Sequence, residues 1–145
     1  MNILVFNKQK DLKIPIKQVK KLVSAFLCFE KVDCSEVSLY FVSEKVICQL
    51  HDQFFQDPTS TDCISFPLGI DGSLGEVFIC PLTALLYAEK KGLDPYQETA
   101  LYIIHGLLHL IGYDDLEEKQ RRIMRKKEKS CMRHLEDKNI SLRPL

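Results

Sequence analysis

The chain has 145 residues, 46% of them hydrophobic and 28% charged, with equal numbers of acidic and basic side chains. That composition excludes a disordered chain and suits one compact domain, residues 1–145, with enough apolar mass for its own core. No apolar run approaches the ~18 residues of a membrane span, and Met1 to Asn7 is too short for a secretory signal, so the expected location is cytoplasmic, with no membrane partner.

Met1 to Asn7 reads as a first strand. Ile16, Val19, Leu22, Val23, Phe26 and Leu27 then recur at helical spacing, and Pro15 suits the first turn of that helix. Residues 36–42 alternate, with Val37, Leu39 and Phe41 on one side, as a half-buried strand does. Ser43 can cap a helix from about Glu44 to Phe55. After the loop at Asp57-Pro58-Thr59-Ser60, a strand runs from Thr61 to Pro67, and Gly69, Asp71-Gly72 and Gly75 turn the chain into a fourth strand, Glu76 to Cys80. Pro81 opens a helix that stops near Gly92. Asp94-Pro95-Tyr96-Gln97 reads as a cap, a first-turn proline and a capping-box partner, starting a helix that reaches about Ile111. A last helix runs from Leu116 to about Asp137, with Leu116, Ile123, Met124, Cys131 and Leu135 as its apolar stripe. The order predicts a single α/β (α+β) domain: a small mixed sheet of about four strands, with helices packed on it.

Charge is unevenly placed along this order. Residues 30–100 carry twelve acidic and four basic side chains, whereas residues 119–133 carry eight basic and one acidic. The basic segment could face a polyanion, and a solvated helix surface accounts for the same charges. Cys28, Cys34, Cys48, Cys63, Cys80 and Cys131 form no Cys-x-x-Cys pair, and they are expected as buried thiols without a disulfide framework.

The chemistry concentrates in the helix after Pro95. Ala100, Leu101, Ile103, Ile104, Leu107, Leu108, Leu110 and Ile111 leave it almost no polar face, yet it carries His105 and His109. Residues four apart share a helix face, about 6 Å apart along the axis. Two part-buried imidazoles side by side are costly unless their nitrogens are satisfied, and a shared metal satisfies one on each ring. Gly112 can take a left-handed conformation, end the helix and fold the chain back, so that Asp115 or its neighbour Asp114 reaches the same centre. Two imidazole nitrogens and one carboxylate oxygen suit one zinc ion, with a fourth position left for water. The metal site is thus expected at the end of a buried helix. His51 and His134 have no partners nearby in sequence and read as surface or packing residues. Arg121, Arg122, Arg125 and Lys126 are candidates for RNA phosphate contacts.

The spacing from His105 to Asp115 is similar to that of zinc proteases with an extended His-Glu-x-x-His motif. Gly106 stands where those enzymes carry their general base, which argues against proteolysis. The stretch more closely resembles the YbeY family of bacterial ribosomal-RNA-processing endoribonucleases, whose motif reads His-Gly-x-Leu-His-Leu-x-Gly-Tyr-Asp-His. Every specified position is met from His105 to Asp114, and Asp115 replaces the last histidine. Thr61-Asp62-Cys63-Ile64-Ser65-Phe66-Pro67 resembles the family's Thr-Asp-Val-Leu-Ser-Phe-Pro, and Leu74-Gly75-Glu76-Val77-Phe78-Ile79 its Leu-Gly-Asp-Ile-x-Ile. The likeness covers the chain beyond about residue 35. It implies a zinc-dependent endoribonuclease of single-stranded RNA that matures the 3′ end of 16S ribosomal RNA and serves ribosome quality control. Metal-bound water would be the nucleophile, and no side chain stands out as general base. It favours Asp115 as third ligand, and it implies ribosomal RNA, small-subunit proteins and an assembly GTPase as partners. Phe55 stands where the family commonly carries an arginine thought to serve RNA cleavage. That substitution supports a second reading, a ribosome-assembly factor with a structural metal and little nuclease activity. A metal-dependent hydrolase of another substrate is a third.

Overall fold

Strand β1 (Asn2–Asn7) leads into helix α1 (Ile16–Phe29), which returns the chain to β2 (Glu36–Phe41) beside β1. Helix α2 (Glu44–Phe55), strands β3 (Cys63–Pro67) and β4 (Ser73–Ile79), and helices α3 (Pro81–Lys91), α4 (Pro95–Leu110) and α5 (Glu118–Asp137) follow. The computed structural model describes residues 1–144. The sheet order is β1-β2-β4-β3, with β1, β2 and β4 parallel and β3 antiparallel to β4. This is the small mixed sheet that the order of elements predicts. No helix among the described residues is long and apolar enough to cross a membrane.

Several expectations shift once the elements pack. β2 is interior to the sheet, so Ser38 on its second face is also buried, not half-exposed as the alternation implied. β4 starts at Ser73, ahead of Glu76, because Asp71 and Gly72 turn tightly at positive φ and bring Ser73 opposite Glu36. Pro15 is the N-cap of α1, one position before the first helical turn. The Asp94 side chain caps α4 by accepting from the Tyr96 amide at 2.9 Å. A capping box does form, but at the start of α5, between Glu117 and Gln120. There α5 starts two residues after Leu116, which is 78% exposed. Its buried stripe is Met124, Cys131 and Leu135; Ile123 lies ~100° around the helix from Met124 and stays exposed. Of the cysteines, Cys80 and Cys131 are buried and Cys28 is exposed; all six are free.

Helix α4 is the central element, packed on β3 and β4 and also against α3 and α5. Its approach to the sheet depends on Gly106. A Cβ there would lie 2.5 Å from Cγ1 of Val77 and 3.2 Å from Oγ of Ser65. Ser65 Oγ uses that closeness to donate to the Gly106 carbonyl at 2.8 Å, tying α4 to β3. Gly106→Ala should therefore overpack this contact and lower stability by ~1–3 kcal/mol, read from the urea midpoint. In a cycle with Val77→Ala the two losses should be less than additive, since the second change makes room for the first. Strict additivity would show that the helix does not depend on this contact.

Candidate metal centre

The C-terminal end of α4 sets the geometry of the centre. The Tyr113 amide donates to the Leu108 carbonyl at 3.0 Å, and the Gly112 amide donates to that of His109 at 3.1 Å. This paired closure needs a left-handed residue between, and Gly112 supplies it with φ +107°. A Cβ at Gly112 would meet nothing within 4 Å, so backbone conformation and not space calls for glycine. The chain then reverses, and Arg121 on α5 holds the returning loop by donating from Nη1 to the carbonyls of Leu116, at 2.9 Å, and Asp115, at 3.3 Å.

The reversal brings Asp115, and not Asp114, to the histidines. Asp115 Oδ2 lies 3.3 Å from His105 Nε2 and 3.6 Å from His109 Nε2, and the two Nε2 atoms are 3.1 Å apart. Asp114 is exposed, and its carboxylate accepts the amide of Asp115 at 2.9 Å. Tetrahedral zinc with bonds of ~2.0–2.1 Å holds its ligand atoms roughly 3.3 Å apart. The three observed separations bracket that value, so this donor set fits such an ion. It is the one group of its kind among the described residues.

A fourth side chain orients the first. Glu128 on α5 takes His105 Nδ1 at 2.7 Å, which fixes the ring and turns Nε2 toward the centre. Burial by itself would lower the His105 pKa. The hydrogen bond and charge of Glu128, with the charges of Asp62 and Asp115, outweigh it and hold the pKa above the ordinary 6.5. Glu128 is the single acidic residue among the eight basic ones of 119–133, and that isolation was its only signal in the sequence. Asp62 was also missed, because its stretch reads as a strand. It accepts the Cys63 amide at 2.7 Å and lies at the centre's edge.

The triad opens into a cleft of about 620 Å³, whose lining includes His51, Phe55, Thr61, Asp62 and Cys63. Burial, reinforced by the charges of Asp62, Asp115 and Glu128, raises the Cys63 thiol well above its usual range, so it stays protonated. His51 thus belongs to the cleft wall, which sequence distance from the motif had hidden. His134 stacks on Phe29 with ring centroids 4.2 Å apart, away from the cleft. Gly106, at the protease base position, faces Val77 and the sheet. The four basic candidates are all exposed, and Arg125 lies between the other three, bordering both the pocket beside the triad and the outer side of α5. Arg121 and Arg125 border a 250 Å³ pocket together with His105, Asp115 and Asp62. Arg122 and Lys126 lie on the outer side of α5, beside Lys119 and Ile123.

The family profile described as Endoribonuclease YbeY matches residues 4–136, which spans the sheet, α4 and nearly all of α5. The chain belongs to the YbeY family. Among relatives of that name, one from Protochlamydia amoebophila is 48% identical over 134 residues, covering 89% of each chain. One from Chlamydia felis is 36% identical, covering 98% of this chain and 96% of that protein. The solution structure of TM1509 from Thermotoga maritima superposes with a TM-score of 0.67 at 29% identity, covering 92% of this chain and 89% of that one. The match reaches back to β1, beyond the part of the chain in which the YbeY motifs are legible.

Two outcomes follow from Glu128 and His105. If the centre holds zinc, Glu128→Gln should weaken its retention against a competing chelator by ~10–100-fold, because outer-shell partners of metal-binding histidines act on that scale. Unchanged retention would mean that the Glu128 contact does not act on the centre. In the metal-free protein the raised His105 pKa contributes stability below about pH 6.5, which is lost as pH rises through the folded value. A zinc ion held here would need Nε2 unprotonated, so its stabilisation would grow in the same direction. The gap in melting temperature between zinc-loaded and stripped protein should therefore widen from about pH 5.5 to about pH 8.5. A gap that narrows would contradict the protonation assigned to His105.

Proposed function

We propose that this protein is a zinc-dependent endoribonuclease of single-stranded RNA that matures the 3′ end of 16S ribosomal RNA. The observation that carries the reading is the His105–His109–Asp115 triangle, backed by Glu128 and open to a cleft, in a chain of the YbeY family. His105, His109 and Asp115 would hold one zinc ion, which supplies Lewis acidity toward phosphate oxygens and lowers the pKa of a coordinated water. Glu128 keeps His105 in the tautomer whose Nε2 faces the centre. Arg121 fixes the Asp115 loop through two carbonyls and, with Arg125, sets positive charge beside the triad, where an RNA phosphate would lie. Arg122 and Lys126 extend that charge along the outer face of α5. The wider role carries the partners expected of the family: ribosomal RNA, small-subunit proteins and an assembly GTPase, in the cytoplasm, with a part in ribosome quality control.

A second reading is favoured by one feature, Phe55. With phenylalanine in the cleft at the family's arginine position, the protein could serve as an assembly factor whose metal is structural. Incubation of the zinc-loaded protein with single-stranded RNA separates the two. Nuclease action predicts cleavage that is lost with chelator and with His109→Ala. Cutting that survives both treatments would sink the zinc-dependent reading, and no cutting at all would favour the assembly factor.

The ligand set has its own test. Asp115→Ala should reduce zinc retention far more than Asp114→Ala, and Asp115→His should keep the ion bound, since imidazole replaces carboxylate as donor. If Asp114→Ala does the greater damage, the loop beyond Gly112 serves the metal differently. For the basic helix, reversing Arg122, Arg125 and Lys126 to glutamate should weaken RNA binding and leave zinc content intact. The salt slope should fall by about 0.7 for each phosphate no longer neutralised. An unchanged slope assigns those residues to solvent.

A further inference from the structure

The wall of the cleft formed by α2 carries a feature that neither the metal centre nor the basic helix uses. His51 and Phe55 lie one turn apart on that helix, and both line the cleft. Phe54, the neighbour of Phe55, packs on Phe66 at 4.8 Å between centroids, and so joins a row of rings that continues through Phe78 and Tyr40 to Phe6. Within that row Phe6, Tyr40 and Phe78 lie nearly parallel, 18° and 10° apart, and cover one another's faces. Phe55 stands outside it. Among the aromatic rings of the described residues it pairs only with the tilted ring of His51, at 5.5 Å and 54°, and it is 54% exposed.

The neighbour of this exposed ring is fixed in place. The Thr59 carbonyl can only accept, so His51 Nδ1 donates to it, at 2.8 Å, and the imidazole is fixed beside Phe55. Gln56 ends α2 in the left-handed conformation, with its amide on the Asp52 carbonyl at 2.9 Å. Asp57 in turn accepts the amide and the hydroxyl of Thr59. An exposed aromatic face beside a hydrogen-bonded imidazole, in the same cleft as the triad, matches what a nucleobase requires. Bases splayed from a single strand stack on aromatic side chains, and every base has a face to offer. A base inside a duplex is already stacked and cannot do so.

We propose that Phe55, buttressed by His51, is a stacking shelf for one base of single-stranded RNA, next to the phosphate placed at the His105–His109–Asp115 triad. The shelf rests on the reading of this cleft as an RNA site and names how that site selects unpaired RNA. A charged contact at this wall would hold a phosphate; a phenyl ring holds the neighbouring base.

The test uses zinc-loaded full-length protein and a short single-stranded RNA, with a set in which each base in turn is abasic. Phe55→Ala should raise KM on the order of tenfold, the usual loss for one base stacked on an aromatic ring, with kcat little changed. Phe55→Tyr should retain the wild-type KM. Phe55→Leu, which keeps apolar bulk but has no π face, should resemble alanine. One abasic position should raise KM for the wild type and make no difference to Phe55→Ala. Zinc content and melting temperature should be the same in all four proteins. If leucine serves as well as phenylalanine, or if every abasic position affects wild type and Phe55→Ala alike, the shelf is wrong while the RNA reading stands. A loss of zinc or of melting temperature in Phe55→Ala comparable to that in His109→Ala would make the ring a packing element and overturn the shelf. A wild-type protein that does not cut RNA would remove the RNA reading and the shelf with it.

Discussion

Two imidazoles and a carboxylate converge with their ligand atoms 3.1–3.6 Å apart, in a part-buried place that also gathers Asp62 and Glu128. So many acceptors in one spot repel one another unless protons or a cation sit among them, and the rest of the fold keeps them from relaxing apart. Gly106 lets α4 lie close on the sheet, Gly112 reverses the chain, and Arg121 grips the returning loop. Glu128 arrives from α5, which is anchored in turn by Lys127. Its ammonium pairs with Glu30, a side chain only 6% exposed near the end of α1, at 2.8 Å. The centre therefore draws on three helices and the sheet, and its free energy is coupled to how those layers pack.

That coupling gives α5 two jobs on different faces. Met124, Cys131 and Leu135 fasten it to the core, and Lys127 and Glu128 make specific contacts within the protein. Its arginines and remaining lysines stay in solvent, where attraction to a polyanion is strong at low salt and screened at high salt. Negative charge is thus concentrated at the centre and positive charge on the helix beside it. Under the proposed function, a phosphodiester strand would suit such a pattern: its phosphates would be drawn to α5 and shunned by the acidic pocket until a metal offset that charge.

The two positions at which the motif resemblance sets this chain apart from the YbeY pattern, Asp115 and Phe55, line one cleft. Asp115 in place of histidine lowers the charge of the donor set by one unit and should make a bound ion a weaker Lewis acid. Phe55 puts an apolar ring in the same lining. Under the proposed function, the two together would give base contacts more weight relative to phosphate contacts.

The sequence by itself determined the elements and the pair of histidines. Hydrophobic period, proline and glycine positions and capping residues are local, and a spacing of four on a helix places two imidazoles on one face whatever surrounds them. The choice of Asp115 over Asp114 rested on family likeness, because a loop residue's direction is not a local property. Tertiary structure brings Asp115, and not Asp114, beside the histidines through the closure at Gly112 and the grip of Arg121. Glu128, 23 residues from His105, Asp62 and His51 all join the site across elements, and no periodicity records such a meeting. The burial of Ser38 and the exposure of Leu116 and Ile123 were likewise decided by which neighbours cover each face. Local patterning writes the secondary structure; proximity between distant residues exists only once the layers have packed.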